Sequence, residues 1–286
     1  MDKRLAMDGF IRFWAHLPEK INPVFLKIGP MEVRYYGLMY LVGFLSVYLL
    51  ILYRLKTEKL KFSKNLIDEY FLWAIPAILI GARLGYIFFY NLRYYVQNPW
   101  EILPFYFKDG FNYVGIYGMS YHGALIATIF VSLIFCYRKK IDFLSFCDLL
   151  IPAIPLGYTF GRMGNFLNGE LYGRVTQAWI GMYFPLDPLG KLRHPSQLYE
   201  AFFEGIFLFI IFWSMRKKHV LSGLFLPLYL IGYGLVRFFV EFFREPDPQL
   251  GFIIGPLTMG QILCLAMILA GAAIFIVKMA GHSKYK

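Results

Sequence analysis

Residues 36–53 read YGLMYLVGFLSVYLLILY, without a single charge, and residues 54–64 continue as RLKTEKLKFSK with five basic side chains. A hydrocarbon core about 30 Å thick is crossed by roughly 20 residues of α-helix, at a rise of about 1.5 Å each. An uncharged run of that length, stopped by a block of lysine and arginine, reads as a membrane span whose basic end stays in the cytoplasm. The pattern recurs. Apolar runs at 70–90, 115–137, 147–166, 198–215, 221–243 and 257–278 raise the expected number of spans to seven. The fourth carries Pro152 and Pro155, which a membrane helix tolerates where neighbours re-satisfy its backbone.

Composition points the same way. The 286 residues are 58% hydrophobic and 16% charged, whereas a soluble domain carries about a quarter charged residues. The expected fold class is all-α, a polytopic membrane protein with about seven transmembrane helices. Basic residues then orient it. Five fall in 54–64, three in 137–140, three in 215–219 and three after Val277. The opposite side, beyond the first 35 residues, holds six: Arg93, Lys108, Arg174, Lys191, Arg193 and Arg244. The richer side faces the cytoplasm, so the N-terminus lies outside and the C-terminus inside. The net charge of +11 reflects this bias and attraction to anionic lipid, and points to no nucleic acid.

The segment MDKRLAMDGFIRFWAHLPEK lacks a continuous apolar core and a small-residue cleavage site, so it is not a secretory signal. Its Ile11, Phe13, Trp14 and Leu17 alternate with charges, which suits either an amphipathic arm on the membrane or a solvent-exposed linker. The expected organisation is this arm over 1–35, a seven-helix domain over 36–278 and a tail over 279–286. Extracytoplasmic loops fall at about 91–114 and 167–197, the latter long enough for a small periplasmic cap. Cys136, Cys147 and Cys264 give neither a disulfide framework nor metal spacing and read as packing residues. With no zinc motif, no P-loop and no G-x-S-x-G elbow, neither a metal nor another cofactor is expected.

Depth sorts the polar residues. His122 falls near the outer end of the third span, and Arg162 and Asn165 share a face at the outer end of the fourth. Glu200 and Glu204 open the fifth from outside. Arg237 and Glu241 sit one turn apart toward the outer end of the sixth, with Tyr233 one turn earlier, and Tyr36 begins the first. Only Arg83 lies nearer the middle. Ionisable groups within a span cost a few kcal/mol on insertion scales, so they pair with one another or line a cavity. Pairing alone would join Arg237 to Glu241, and Arg162 to Glu200 or Glu204. Taken together, arginines, a histidine, glycines and amides at one depth suit an anion, and a phospholipid headgroup most naturally.

The segment GRMGNFLNGELYGR (161–174) fits that reading. Its glycines let backbone N–H groups approach a ligand, Asn165 and Asn168 supply neutral donors, and Arg162 offers a fork suited to phosphate. Glu170 is placed to anchor an arginine or handle a proton. The plainer alternative is a glycine-rich helix end with arginines snorkelling to the interface. His122 is likewise either a satisfied structural residue or a proton acceptor near neutral pH.

These residues also carry a resemblance. GRMGNFLNGELYGR, with YGLMY (36–40), MSYHGAL (119–125), RHPSQLYE (193–200), GYGLVRFFVEFFREPD (232–247) and MGQIL (259–263), resembles the bacterial prolipoprotein diacylglyceryl transferases, in the same order and over about 21–275. The resemblance implies a seven-span inner-membrane enzyme whose active site faces the periplasm. Its substrates would be phosphatidylglycerol and prolipoprotein signal peptides bearing a lipobox cysteine. The diacylglyceryl group would pass to the cysteine thiol, giving a thioether and glycerol 1-phosphate. Matched residue by residue, it implies catalytic roles for His122, Arg237, Glu241, Tyr36 and Tyr233. It implies phosphatidylglycerol binding by Arg162, Asn165, Glu170, Gly173 and His194. The chain departs from the family in carrying Ala124 where a second glycine usually follows the histidine, in Ala127, in a shorter 174–193 loop, in a longer FNYVGIYGMS segment and in its first 20 residues. A different class, a non-catalytic lipid transporter with a cationic cavity, uses the same charges, but the hydropathy repeat that many transporters show is missing.

Overall fold

The computed structural model describes residues 3–29, 31–58, 60–103, 105–106, 112–113, 118–246 and 252–283. Helices dominate. They are α1 (Lys3–Ala15), α2 (Tyr35–Glu58), α3 (Lys64–Tyr90), α4 (Leu92–Gln97), α5 (Tyr121–Lys139), α6 (Phe143–Leu150), α7 (Ile154–Leu167), α8 (Ser196–Met215), α9 (Phe225–Val240) and α10 (Met259–Ser283). Three small antiparallel hairpins join them: β1 (Val24–Ile28) with β2 (Met31–Arg34), β3 (Phe105–Tyr106) with β4 (Asn112–Tyr113), and β5 (Phe252–Ile254) with β6 (Leu257–Thr258). The sequence pattern, searched for helical period, had not signalled these short strands.

Among the described residues, four helices are long and apolar enough to cross a membrane: Tyr35–Glu58, Lys64–Phe88, Ser196–Met215 and Met259–Ala280. A fifth crossing is available if α6 and α7 form one broken span, since they meet at 55°. The break falls around Pro152, so the run expected as one span, its prolines tolerated, is divided between two helices. The expected span 221–243 corresponds to the shorter apolar helix α9, which begins only at Phe225. The run 115–137 corresponds to α5 from Tyr121 onward, and residues 115–117 lie outside the described residues.

The chain forms two compact units, Arg54–Phe146 and the remainder. In the first, α3 and α5 pack along a seam of small residues. A side chain at Gly81, Gly85 or Gly123 would collide with the opposing backbone, or, at Gly81, with the methyl of Ala127. Such G-x-x-x-G spacing brings two membrane helices into direct backbone contact. The close approach falls on Gly123, so the alanine at 124 leaves the seam intact. Arg83 is taken up by its own unit, donating to the carbonyls of Glu101, Ile102 and Gly118. Ser63 and Ser120 cap α3 and α5, each satisfying one N–H that a helix start leaves open.

In the second unit, α7 packs on α8, and α9 on α10. Helix α8 widens to a π-helical stretch over Ala201–Phe207. The Thr159 hydroxyl of α7 lies 3.3 Å from the carbonyl of Ala201, an acceptor at the mouth of the widened turn. Asp148 caps α9 from outside, accepting from the N–H groups of Gly223 and Phe225. The 167–197 segment builds a small core of Phe166, Met182 and Phe184, into which Trp14, Leu17 and Ile21 of the N-terminal segment also pack. Trp14 Nε1 donates to the Ile180 carbonyl at 3.0 Å. The three cysteines are buried and free.

Candidate active site

Glu200 is the hub of the second unit. It lies on α8 at 0% exposure, and one carboxylate meets three guanidinium groups. Its Oε2 is 2.9 Å from Arg162 Nε and 2.7 Å from Arg237 Nη1, and its Oε1 is 3.3 Å from Arg244 Nη1. One helical turn on, Glu204 is equally buried. It accepts from the Tyr158 hydroxyl at 2.6 Å and lies 3.4 Å from Arg237 Nη1. Tyr158 in turn accepts from Arg162 Nε at 2.8 Å, and the guanidinium stands over its ring. Glu241 closes the set, with Oε2 2.7 Å from Arg237 Nη2 and Oε1 accepting from Thr258 Oγ1 at 3.0 Å.

Three guanidinium groups thus meet three carboxylates, and the cluster is formally neutral. Its charge is not evenly placed. Glu200 and Glu204 are fully enclosed, whereas the side chains of Arg162, Arg237 and Arg244 are 15%, 12% and 15% exposed. The acids offset the burial of the bases, and the bases keep the larger share of exposure. A planar guanidinium carries five donors in a fork that matches phosphate oxygens.

From Arg162 the network runs into the 161–174 segment. Arg162 Nη1 donates to Asn165 Oδ1 at 3.3 Å, and Asn165 Nδ2 donates to Glu170 at 2.8 Å. Asn168 Nδ2 reaches the other oxygen of Glu170 at 3.0 Å. Glu170 is therefore held by two amides rather than by an arginine. The segment's first half is not a loop: Gly161 and Gly164 belong to α7, and of its four glycines only Gly169 has a positive φ, +71°. Gly173 serves by its size. Its N–H donates to the His194 carbonyl, and a Cβ there would collide with the Phe243 carbonyl. That close pass brings residues 173–174, 193–194 and 243–244 together, and Arg174 Nε donates to the Arg244 carbonyl at 2.8 Å.

His194 packs edge-on against Phe243, with Nδ1 3.0 Å from the Tyr199 hydroxyl. Burial lowers its pKa from 6.5, so it is a neutral hydrogen-bonding group at pH 7. Tyr233 is buried and set edge-on to Tyr158. Tyr36 donates to Tyr40 at 3.2 Å on α2, and its ring lines the approach to Gly164. A cavity of about 290 Å³ lies beside the cluster, lined by Glu170, Leu171, Tyr172, Leu186, Arg244, Glu245 and Pro246. His122 is in the first turn of α5, in the other unit, and its side chain lies outside the described residues.

The structure thus brings together Arg162, Asn165, Glu170, Arg237 and Glu241, with Tyr233 against Tyr158 and Gly173 and His194 in the adjoining backbone. It draws in Glu200 and Glu204, expected only as pairing partners, and Arg244, expected only as a loop cation, and it adds Tyr158 and Thr258. Two carboxylates four residues apart in an apolar span were the available signal for Glu200 and Glu204; Tyr158, one turn before Arg162, was the signal for the relay.

A family model described as prolipoprotein diacylglyceryl transferase matches residues 23–277. The chain belongs to this family. It is a membrane-embedded transferase, and its relatives cover nearly all of it. A Chlorobaculum tepidum protein named phosphatidylglycerol–prolipoprotein diacylglyceryl transferase is 54% identical over 272 residues, 94% of each chain. Proteins of the same name from Desulfotalea psychrophila and Campylobacter jejuni are similar to the transferase at 46% over 89% of it and 42% over 93%. They span 92% and 97% of those relatives.

Proposed function

We propose that the protein transfers the diacylglyceryl group of phosphatidylglycerol to the lipobox cysteine thiol of prolipoproteins, releasing glycerol 1-phosphate. The observation that carries this reading is the guanidinium cluster of Arg162, Arg237 and Arg244, gathered on enclosed Glu200 and itself partly exposed, in a chain of this family. The names of the relatives support the two substrates.

In this reading the thiolate sulfur attacks the glyceryl C3 carbon, a carbon–sulfur bond forms, and the C3–O bond to phosphate breaks. The electron pair leaves with the phosphate monoester. Arg162 and Arg237 stabilise that developing charge where water is scarce. Glu241 orients Arg237, while Asn165 and Glu170 hold the headgroup side of Arg162. Tyr36, Tyr233 and His194 shape the site by neutral contacts, and Gly173 permits the chain crossing beside it. A free thiol has a pKa of about 8.5, so a base is useful. The resemblance gives His122 a catalytic role, either as that base, for a contribution on the order of 10²–10⁴ in rate, or in positioning substrate while the arginines favour the thiolate.

The topology belongs to the same proposal. Seven spans place the N-terminus in the periplasm and the C-terminus in the cytoplasm of the inner membrane, with the active site facing the periplasm. Residues 1–35 form an arm, 36–278 the catalytic domain with periplasmic loops at 91–114 and 167–197, the latter a small cap, and 279–286 a tail. The transporter alternative draws no support from the relatives. The test is direct: purified protein, phosphatidylglycerol and a lipobox peptide, read by mass spectrometry. A diacylglyceryl adduct on cysteine with release of glycerol 1-phosphate is expected; lipid movement without adduct would overturn the reading.

A further inference from the structure

Helix α10 starts on a reciprocal pair. Thr258 Oγ1 accepts from the Gln261 N–H at 3.3 Å, and Gln261 Oε1 accepts from the Thr258 N–H at 3.1 Å. This is a capping box, which satisfies two N–H groups left open at a helix start. The box uses the hydroxyl oxygen as an acceptor and leaves its proton to be donated elsewhere. Here it goes to Glu241, whose Oε1 is 3.0 Å away. Thr258, Gln261 and Glu241 are 3%, 0% and 5% exposed, so little water competes. Gln261 Nε2 also reaches the carbonyl of Phe238, next to Arg237, at 3.5 Å.

Gly260 completes the arrangement. A Cβ there would stand 2.6 Å from Glu241 Oε1 and 2.8 Å from its carboxyl carbon. The carboxylate thus occupies the space a side chain would need, beside the first turn of a 25-residue helix, where exposed N–H groups favour negative charge. Arg237 needs such an anchor, because carboxylates pull on it from two sides: Glu200 and Glu204 on Nη1, Glu241 on Nη2. If Glu241 swings, the guanidinium is free to turn toward the other two.

We propose that the Thr258–Gly260–Gln261 start of α10 is a positioning device for Arg237: it pins one oxygen of Glu241 so that the other holds the guanidinium in the plane the phosphate requires. Thr258 is a positioning residue, with Glu241 and Arg237 between it and the lipid. The proposal rests on the reading that Arg237 serves the departing phosphate, where small misplacements are costly.

The test uses the full-length protein in the same transfer assay. Thr258→Asp keeps an oxygen to cap the helix but sets a second, competing carboxyl against Glu241 in place of the neutral hydroxyl donor. It is expected to lose about 10- to 100-fold in kcat, the worth of a hydrogen bond to a charged group, with KM nearly unchanged. Gly260→Ala, which displaces the carboxylate, is expected to do the same. Thr258→Ser, which keeps the hydroxyl, restores what Thr258→Asp loses. In a Glu241→Ala background, Thr258→Asp is expected to cost less than about twofold more, because coupled residues are not additive. Additive losses, or full kcat in both Thr258→Asp and Gly260→Ala, overturn the proposal and leave the transferase reading standing. Full activity in Arg237→Ala would instead overturn the reading beneath it. Should Glu241→Ala fail to fold, Gly260→Ala set against Thr258→Ser still decides.

Discussion

At the scale of single residues the site turns on one carboxylate that holds three guanidinium groups. Breaking a buried ion pair by removing one partner is costlier than the pair is stabilising, because the other charge is left enclosed. Glu200→Gln keeps the shape and removes the charge, so the three arginines keep only Glu204 and Glu241. The expected outcome is a loss of about 3–5 kcal/mol in stability, seen as a marked fall in the thermal midpoint in detergent; an unchanged midpoint contradicts the hub. Much of this was legible beforehand. Arg162, Asn165, Arg237 and Glu241 stood out as polar groups in apolar runs. Glu200 and Glu204 were visible only as pairing candidates, because sequence spacing gives the face of one helix and not which face another helix meets. Arg244 was hidden further still, since beyond the span it counted as one more loop cation.

At the scale of elements, two features of packing deliver those residues. The π-helical stretch of α8 carries Glu204, with Glu200 just ahead of it, and faces α7 through Thr159 and Tyr158. No propensity argument separates such a widened turn from ordinary helix, so it could not be read in advance. The 167–197 segment is the second feature. Asp187 there accepts from both Nε and Nη2 of Arg193 at 2.9 Å, and Met182 and Arg193 exchange backbone hydrogen bonds. The Arg193 hydrogen bonds hold the Asp187 pKa down at about 2. An unfolded aspartate titrates near 3.9, so the unfolded state binds its proton first on acidification. The stabilisation is therefore complete above about pH 5 and drains away as the pH falls toward 2. Hydrogen-exchange protection at Met182 and Arg193 is expected to fall over that range in the wild type. In Asp187→Asn it should start lower and stay flat; a wild-type profile in that variant contradicts the assignment.

At the scale of the whole molecule, apolar length and basic flanks made the membrane class plain from composition alone. The count of spans was less secure, because hydropathy does not register a helix break. The fourth run is two helices meeting at 55°, and the sixth is a helix shorter than the run around it. The proposed topology makes its own prediction. Reporter enzymes active only in the cytoplasm should work when fused after Lys286 or inserted near Lys139, and be silent near Leu189. Activity at Leu189 would invert the arrangement. The central claim concerns the arginines, and one measurement addresses it most directly. Adduct formation on a lipobox peptide from phosphatidylglycerol is followed for the wild type, Arg162→Ala and Arg237→Ala, each shown to be inserted and folded. Each variant is expected to fall by at least about 10²–10³ in turnover, the scale of losing a donor to developing charge; near-normal turnover in either would contradict the account.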